Sequence, residues 1–227
     1  MSSEDASGII ELRRLLSERF PYARTWSRTA PAKTHLFWPT GLPRLDSLLQ
    51  GGLGKSAITE VAGHGSGSGG ALLLRALLRQ TRHTGRLMGL IDGSDSFDPG
   101  GLDASVLSRL FWVRCKTADE ALKAADILLR DRNLPLIVLD LKMNPAAQLR
   151  KISGATWYRL QRITRQSATA FMVLTPHPMI ASAETRLILE SRFTLDALPE
   201  DQTQLLAELK FELVRSVGGE ESQEAAG

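Results

Sequence analysis

One stretch of the chain determines the predicted fold: Ile58-Thr-Glu-Val-Ala-Gly-His-Gly-Ser-Gly-Ser-Gly-Gly-Ala-Leu-Leu-Leu74. A β-rich run leads into a loop of glycine and serine, and a leucine-rich helical pattern follows. This is the outline of a phosphate-binding loop, in which glycines let backbone N–H groups converge on a phosphate at the N-terminus of a helix. The stretch therefore predicts a strand, a glycine-rich turn and a helix in succession.

The loop lacks the side chains that phosphate chemistry requires. A phosphate loop has one glycine, four further residues and then Gly-Lys-Ser/Thr. Counted from Gly63, these last three positions are Ser68, Gly69 and Gly70, so the lysine for the β- and γ-phosphates and the hydroxyl for Mg²⁺ are both missing. The vestigial loop comprises Gly63, Gly65, Gly67, Ser68, Gly69 and Gly70.

A second segment, Gly52-Leu-Gly-Lys-Ser56, imitates the end of a phosphate loop. The first glycine of the pattern would fall on Leu49, and the segment precedes a strand instead of opening a helix. We therefore interpret it as a turn.

Composition indicates an ordinary globular protein, because the 227 residues are 43% hydrophobic and 23% charged. No apolar run approaches the roughly 18 residues of a membrane span, and the N-terminal segment is acidic where a secretory signal is basic. A cytoplasmic protein without a membrane attachment is therefore expected. The single cysteine, Cys115, excludes an internal disulfide and lies in a strand-like run, which predicts that it packs in the core.

The chain divides into three regions. Residues 1–35 combine an amphipathic helical pattern with a linker, residues 36–217 alternate apolar strands with helices, and residues 218–227 are predicted to be disordered. The alternation predicts an α/β domain with a mostly parallel central sheet flanked by helices. Strands expected over 187–195 and 206–214 add antiparallel pairing towards the C-terminus.

Polar side chains follow several of these strands. Continuous apolar runs end at Asp92, Asp140 and Thr175, as expected of parallel strands covered on both faces. The carboxyl ends of parallel strands share one edge of a sheet, which is where ligands of such sheets bind. We therefore expect these three residues to lie beside the loop at 63–70.

Charge is unevenly distributed, with eight Lys/Arg and two acids in residues 141–192 but two Lys/Arg and eight acids in residues 193–227. This pattern is typical of a nucleic-acid surface beside a self-shielding tail, and equally of the solvated faces of ordinary helices. Six side chains are candidates for phosphate contact or base stacking: Arg150, Lys151, Tyr158, Arg159, Arg162 and Arg165. The neighbouring Trp157 fits the apolar face of its helix and is assigned to the core.

Three segments resemble the RecA recombinase family: Thr40–Asp46, Gly51–Gly63 and Leu90–Pro99. Their order and spacing match that family over roughly residues 36–200. The segment Leu110–Asp126 is most similar to the ImuA branch, whose members are accessory factors of mutagenic translesion synthesis; SulA-like division inhibitors are also similar in style. The resemblance implies a RecA-like core.

The chain departs from this family at its hydrolytic positions. The lysine of the phosphate loop falls on Gly69, its hydroxyl residue on Gly70, and the glutamate that activates water on Ser94. The glutamine that senses nucleotide would lie near 175–177 and is absent, which leaves Asp140 as the remnant metal acid. Because losing one such group typically lowers a rate about 10²–10³-fold, hydrolysis is not expected. Lys55 and Arg75 are the candidates to replace the missing lysine.

The resemblance therefore implies a non-catalytic accessory protein of the SOS response to DNA damage. No cofactor is expected beyond weak ATP binding to backbone N–H groups. Expected partners are an ImuB-like inactive Y-family polymerase homologue and a DnaE-type error-prone polymerase, with single-stranded DNA and a second copy of the chain as further candidates. The amphipathic segment 9–20 and the strand at 206–214 are candidate docking elements.

Two alternatives stay open. An active DNA-dependent ATPase, as a recombinase paralogue, would release phosphate in the presence of DNA. A SulA-like division inhibitor would bind the tubulin-like division protein FtsZ and ignore polymerase subunits.

Overall fold

The computed structural model describes residues 36–64, 67–193 and 202–216. The strands are β1 (Phe37–Trp38), β2 (Leu53–Gly54), β3 (Ile58–Gly63), β4 (Met88–Asp92), β5 (Leu110–Arg114), β6 (Leu136–Asp140), β7 (Ala170–Thr175), β8 (Thr185–Leu189) and β9 (Phe211–Ser216). The helices are α1 (Pro43–Leu48), α2 (Gly70–Thr84), α3 (Ala104–Leu107), α4 (Ala118–Asp131), α5 (Ala146–Leu149), α6 (Gly154–Arg165) and α7 (Gln202–Ala207).

Seven strands form the central sheet in the order β5-β4-β6-β7-β3-β8-β9, and β1 pairs with β2 separately. Every neighbouring pair in the sheet is parallel except β8 and β9, which are antiparallel. The predicted α/β fold, with a mostly parallel sheet flanked by helices and antiparallel strands towards the C-terminus, is confirmed. The strand order differs from the two doubly wound orders typical of dinucleotide and flavin sites.

The core lies in two layers because successive side chains of a strand point to opposite faces of the sheet. In β6, Leu136 and Val138 pack on the side covered by α2. Ile137 and Leu139 pack on the side covered by α4 and α6, together with Trp157 and Cys115. Both faces are therefore covered, which explains the continuous apolar runs, and the core positions predicted for Trp157 and Cys115 are confirmed.

The C-terminal part of the domain differs from the sequence prediction. The strand expected over 206–214 is β9, which begins only at Phe211, and Leu206 belongs to α7. Leu205 and Leu209 are both buried, but residues four apart share one face of a helix and one face of a strand, so this spacing does not distinguish the two. The strand expected over 187–195 is β8, which ends at Leu189.

Several predictions concern residues outside the described ranges: the region 1–35, Gly65 and the tail 218–227. Within the described ranges, no helix has the length and hydrophobicity needed to cross a membrane.

Candidate functional site

The carboxyl ends of the parallel strands form one edge of the sheet, as the sequence predicts. Asp92 at the end of β4 lies opposite Asp140 at the end of β6. Thr175 at the end of β7 lies opposite Ala62 of β3, and Gly63 ends β3 and begins the loop. The expected gathering of the loop, Asp92, Asp140 and Thr175 at this edge is confirmed.

The glycine-rich loop folds tightly on itself. Ser68 is only 1% exposed, and a Cβ atom at Gly63 would lie 2.6 Å from the Ser68 Oγ. Gly69 has a φ of +91°, the left-handed conformation that favours glycine, and α2 begins at the next residue, Gly70. Glycine is therefore required at positions 63 and 69 by the packing and backbone of the loop itself.

Apolar side chains from the C-terminal part of the domain cover the loop. The backbone N–H of Phe193 donates a hydrogen bond of 2.9 Å to the carbonyl of Gly67. A Cβ atom at Gly69, where the phosphate-loop pattern has a lysine, would lie 3.2 Å from the Phe193 ring and would overlap Leu209. Neither a lysine nor a charged phosphate has a favourable place against these apolar groups.

Lys142 reaches the loop from its other side. Its ammonium donates a hydrogen bond to the Ser68 hydroxyl. The same Nζ atom lies 3.3 Å from where a Cβ atom of Gly70 would be. The side chain therefore fills the space that a hydroxyl residue would occupy in a functional phosphate loop.

Lys142 and Asp140 influence each other electrostatically. The Lys142 backbone N–H donates a 3.0 Å hydrogen bond to the Asp140 Oδ1. Burial raises the pKa of Asp140 to about 6; the nearby charge of Asp92 adds to this effect, and the Lys142 N–H and ammonium oppose it. Burial lowers the pKa of Lys142, and the charge of Asp140 opposes that change. Each group therefore favours the charged form of the other.

Sequence reasoning missed Lys142, although a signal was present. It lies two residues after the acid that ends β6, so it must emerge at the same edge of the sheet as the loop. The proposed substitutes lie elsewhere, since Lys55 precedes β3 at the opposite edge and Arg75 donates to the carbonyls of Asp98 (3.4 Å) and Gly100. The turn predicted over residues 52–56 is found only at Lys55 and Ser56, because Leu53 and Gly54 form β2.

Asp92 has a structural role at this edge. It is 1% exposed, and its carboxylate accepts hydrogen bonds of 2.9 Å from the Ser96 N–H and 2.8 Å from the Phe97 N–H. Ser94, which the sequence resemblance aligns with a water-activating glutamate, donates a hydrogen bond of 3.2 Å to the Ser96 hydroxyl. A serine hydroxyl without a basic partner does not activate water as a carboxylate does.

Thr175, which ends β7, faces a buried carboxylate. Its Oγ1 donates a 3.2 Å hydrogen bond to Glu60, which is fully buried in β3. Glu60 also accepts the N–H groups of Met179 (2.7 Å) and Ile180 (3.1 Å) and pairs with the Arg186 Nε at 2.6 Å. This network fixes the loop that follows β7, and the acid inside an apolar strand was its only sequence signal.

The predicted DNA-contacting side chains are all exposed: Arg150, Lys151, Tyr158, Arg159, Arg162 and Arg165. Two of them are engaged with acids, since Arg159 Nε lies 3.3 Å from Asp126 Oδ1 and Arg165 Nε lies 3.1 Å from Glu184 Oε1. The crossover helix α6 runs from the edge that carries the loop back to the opposite edge. The basic side chains therefore spread along the outside of the domain and do not converge on the loop.

The residues of the loop do not fit a Mg²⁺–nucleotide. The lysine position is covered by Phe193 and Leu209, the hydroxyl position is occupied by the Lys142 ammonium, and Asp92 is saturated by backbone groups. Among the described residues, no group of three or more His, Cys, Asp or Glu side chains is suited to hold a metal ion.

Fold and site together define an α/β protein with a strand–loop–helix unit of the phosphate-loop type, whose loop is filled by side chains of the same chain. In comparisons with known proteins, no family model and no curated protein matches the chain.

Proposed function

We propose that the chain is a non-catalytic RecA-like accessory protein of DNA damage-induced mutagenesis. In this role it supports translesion DNA synthesis in the cytoplasm through contacts with other proteins. The observation that carries the proposal is the filled phosphate loop, in which Phe193, Leu209 and Lys142 occupy the places of the catalytic groups.

The filled loop favours an accessory role over an ATPase. A nucleotide would have to displace two apolar side chains and an ammonium before its phosphates could reach the backbone N–H groups. The general base is also replaced by Ser94. Because each lost charge-stabilising group lowers a rate by about 10²–10³-fold, their joint loss leaves no useful hydrolysis.

The outer strand β9 is the proposed contact for a polymerase partner. Among the described strands it pairs only with β8, and an outer strand presents backbone groups on which a partner strand adds. Val214 is 53% exposed on this strand, and the register shifts between Arg186 and Leu187 opposite it. The exposed apolar side chain and the free strand edge fit an ImuB-like partner that contributes an extended segment.

A second, weaker contact with single-stranded DNA is supported by the outer face of α6. A cleft of about 650 Å³ between the first turns of α4 and α6 is lined by Lys123, Lys151 and Arg159, together with Asp119. Tyr158 is 58% exposed on the same helix. Cations contact phosphates without regard to sequence, and an exposed aromatic ring stacks on a base.

The test is direct binding of the purified chain to the ImuB-like protein and to FtsZ from the same genome. The proposal expects a complex with the ImuB-like protein whose affinity is unchanged by ATP and Mg²⁺. The Val214→Lys variant should weaken that complex, whereas Ser105→Lys, which adds the same charge at an exposed position of α3, serves as the matched control.

Two outcomes contradict the proposal. DNA-stimulated phosphate release by the purified chain would establish the ATPase alternative. Binding to FtsZ without binding to the ImuB-like protein would establish the division inhibitor.

A further inference from the structure

We infer that Lys142 supplies a built-in cation at the place where a phosphate-loop protein holds Mg²⁺. The inference deepens the proposed non-catalytic role and rests on it. It concerns only described residues: Ser68, Gly70, Asp140 and Lys142.

The position of the ammonium carries the inference. In phosphate-loop proteins Mg²⁺ lies between the hydroxyl residue that ends the loop and the acid that ends a later strand. Here those positions are Gly70 and Asp140. The Lys142 Nζ lies 3.3 Å from where a Cβ atom of Gly70 would be and donates to the Ser68 hydroxyl. Glycine at position 70 leaves the room that the ammonium occupies.

Charge balance at this edge supports the same assignment. Asp92 and Asp140 lie opposite each other in neighbouring strands, so a buried and a half-buried carboxylate share this edge. A cation beside the N-terminus of the 15-residue helix α2 is unfavourable on its own, because that end of a helix carries partial positive charge. The carboxylate of Asp140 offsets this cost, as it would for a metal ion.

The turn that carries Lys142 is anchored on both sides. The Asn144 N–H donates to the carbonyl of Leu141 at 3.1 Å, and the Asn144 side-chain amide donates to the carbonyl of Gly93 at 2.7 Å. Gly93 in turn donates its N–H to the carbonyl of Asp140 at 2.9 Å. These contacts fix the turn from which the Lys142 side chain extends to Ser68.

The consequence is a loop that keeps its conformation without nucleotide or metal. In a switching ATPase, nucleotide and Mg²⁺ order the neighbouring loops and change partner affinity. With a covalently attached cation in that place, the partner-binding conformation is permanent. The chain then binds its partners independently of the ATP level.

Metal rescue tests the inference with MnCl₂ as the probe. The Lys142→Ala variant loses the ammonium and leaves a space beside Ser68, Asp140 and Gly70 that a divalent ion can enter. We expect the Tm of Lys142→Ala to rise with MnCl₂ concentration until the site is saturated. We also expect Lys142→Ala to bind Mn²⁺ at least about tenfold more tightly than the unaltered chain, as measured by electron paramagnetic resonance. Adding Asp140→Asn to Lys142→Ala should abolish the gain.

Two controls separate this role from general packing. Lys123→Ala removes the same charge at an exposed position and should bind no additional Mn²⁺. Lys142→Met keeps the length of the side chain without its charge and blocks the space, so it should be destabilised and show no rescue by Mn²⁺. If Lys142→Ala does not fold, Lys142→Met and Lys142→Arg provide a second test. Amide hydrogen exchange in residues 67–72 should be faster in Lys142→Met than in Lys142→Arg, because only the arginine variant keeps the cation.

The inference is overturned if Lys142→Ala binds Mn²⁺ no better than the unaltered chain, or if Lys142→Met and Lys142→Arg exchange at the same rate. These failures leave the proposed accessory role intact. A different result would contradict the accessory role: hydrolysis of ATP by the unaltered chain in the same samples.

Discussion

Individual positions at the glycine-rich loop have structural roles. Gly69 and Gly70 stand where lysine and a hydroxyl residue are expected, and both are packed against side chains from distant parts of the chain: Leu209 and Lys142. Restoring the motif residues therefore conflicts with the packing that has replaced them.

Gly69→Lys should destabilise the protein without conferring ATP hydrolysis. Its backbone has a φ of +91°, and its Cβ atom would overlap Leu209. Strain and overpacking together predict a loss of about 2–4 kcal/mol in the free energy of unfolding, measured with urea. Gly85→Lys is the matched control, because Gly85 has a φ of +67° but no atom within 4 Å of its Cβ position. Equal losses in both variants would mean that Leu209 does not fill the loop.

Asp140 should make stability depend on pH. Its pKa is about 6 in the folded chain against an ordinary value of 3.8. Between pH 3.8 and about 6, Asp140 is deprotonated in the unfolded chain but still protonated in the folded chain. The contribution of Asp140 to the free energy of unfolding therefore falls as pH rises through this range, and it is constant at higher pH. The loss is on the order of 3 kcal/mol.

Asp140→Asn removes that dependence and should gain stability relative to the unaltered chain as pH rises. Urea unfolding at about pH 4.5 and about pH 7.5 checks this, with exposed Asp119→Asn as the control. Parallel pH profiles for Asp140→Asn and the unaltered chain would contradict the account.

Strands and helices at the loop are held together by buried charge as well as by apolar packing. Glu60 in β3 joins β8 through Arg186 and fixes the loop after β7 through the N–H groups of Met179 and Ile180. Four hydrogen-bond donors thus converge on one carboxylate, counting Thr175. The elements around the vestigial site depend on this carboxylate for their relative positions.

Glu60→Gln should lower the free energy of unfolding by about 3–5 kcal/mol, because it leaves Arg186 without its charge partner. The double variant Glu60→Gln/Arg186→Met should lose less than the sum of the single changes in urea unfolding. Arg165→Ala breaks the more exposed pair with Glu184 and should cost within about 1 kcal/mol. A loss from Glu60→Gln no larger than that control would show that the network does not hold the elements.

The outer face of α6 is the element that decides whether DNA is bound. Arg162→Ala should reduce the salt slope of single-stranded DNA binding by about one unit, since each phosphate contact releases counterions. Arg82→Ala, on helix α2 at the other face of the sheet, is the control for net charge. An unchanged slope for Arg162→Ala, measured by fluorescence anisotropy over a range of salt concentrations, removes DNA contact from the account.

The fold as one unit was largely predictable, and the filling of its loop was not. Both faces of the sheet are covered, so strands such as Leu136–Asp140 are apolar up to their last residue. Their burial can therefore be predicted from the sequence alone. The pattern at Leu205, Leu206 and Leu209 fits a helix or a strand over so few residues, and α7 was accordingly missed. The loop contacts three residues that are distant in sequence: Lys142, Phe193 and Leu209. The spacing of residues within a local segment does not predict such contacts.

Among the described residues, a glycine-rich loop lies at the carboxyl edge of a mostly parallel sheet, and Lys142, Phe193 and Leu209 pack against it. The central claim of the account is that this packing leaves no place for a nucleotide. Isothermal titration of the purified chain with ATP and Mg²⁺ tests this claim most directly. The account predicts no binding tighter than about millimolar, because Lys142, Phe193 and Leu209 must all be displaced first. Micromolar binding of ATP would contradict the account and would show that the chain binds nucleotide.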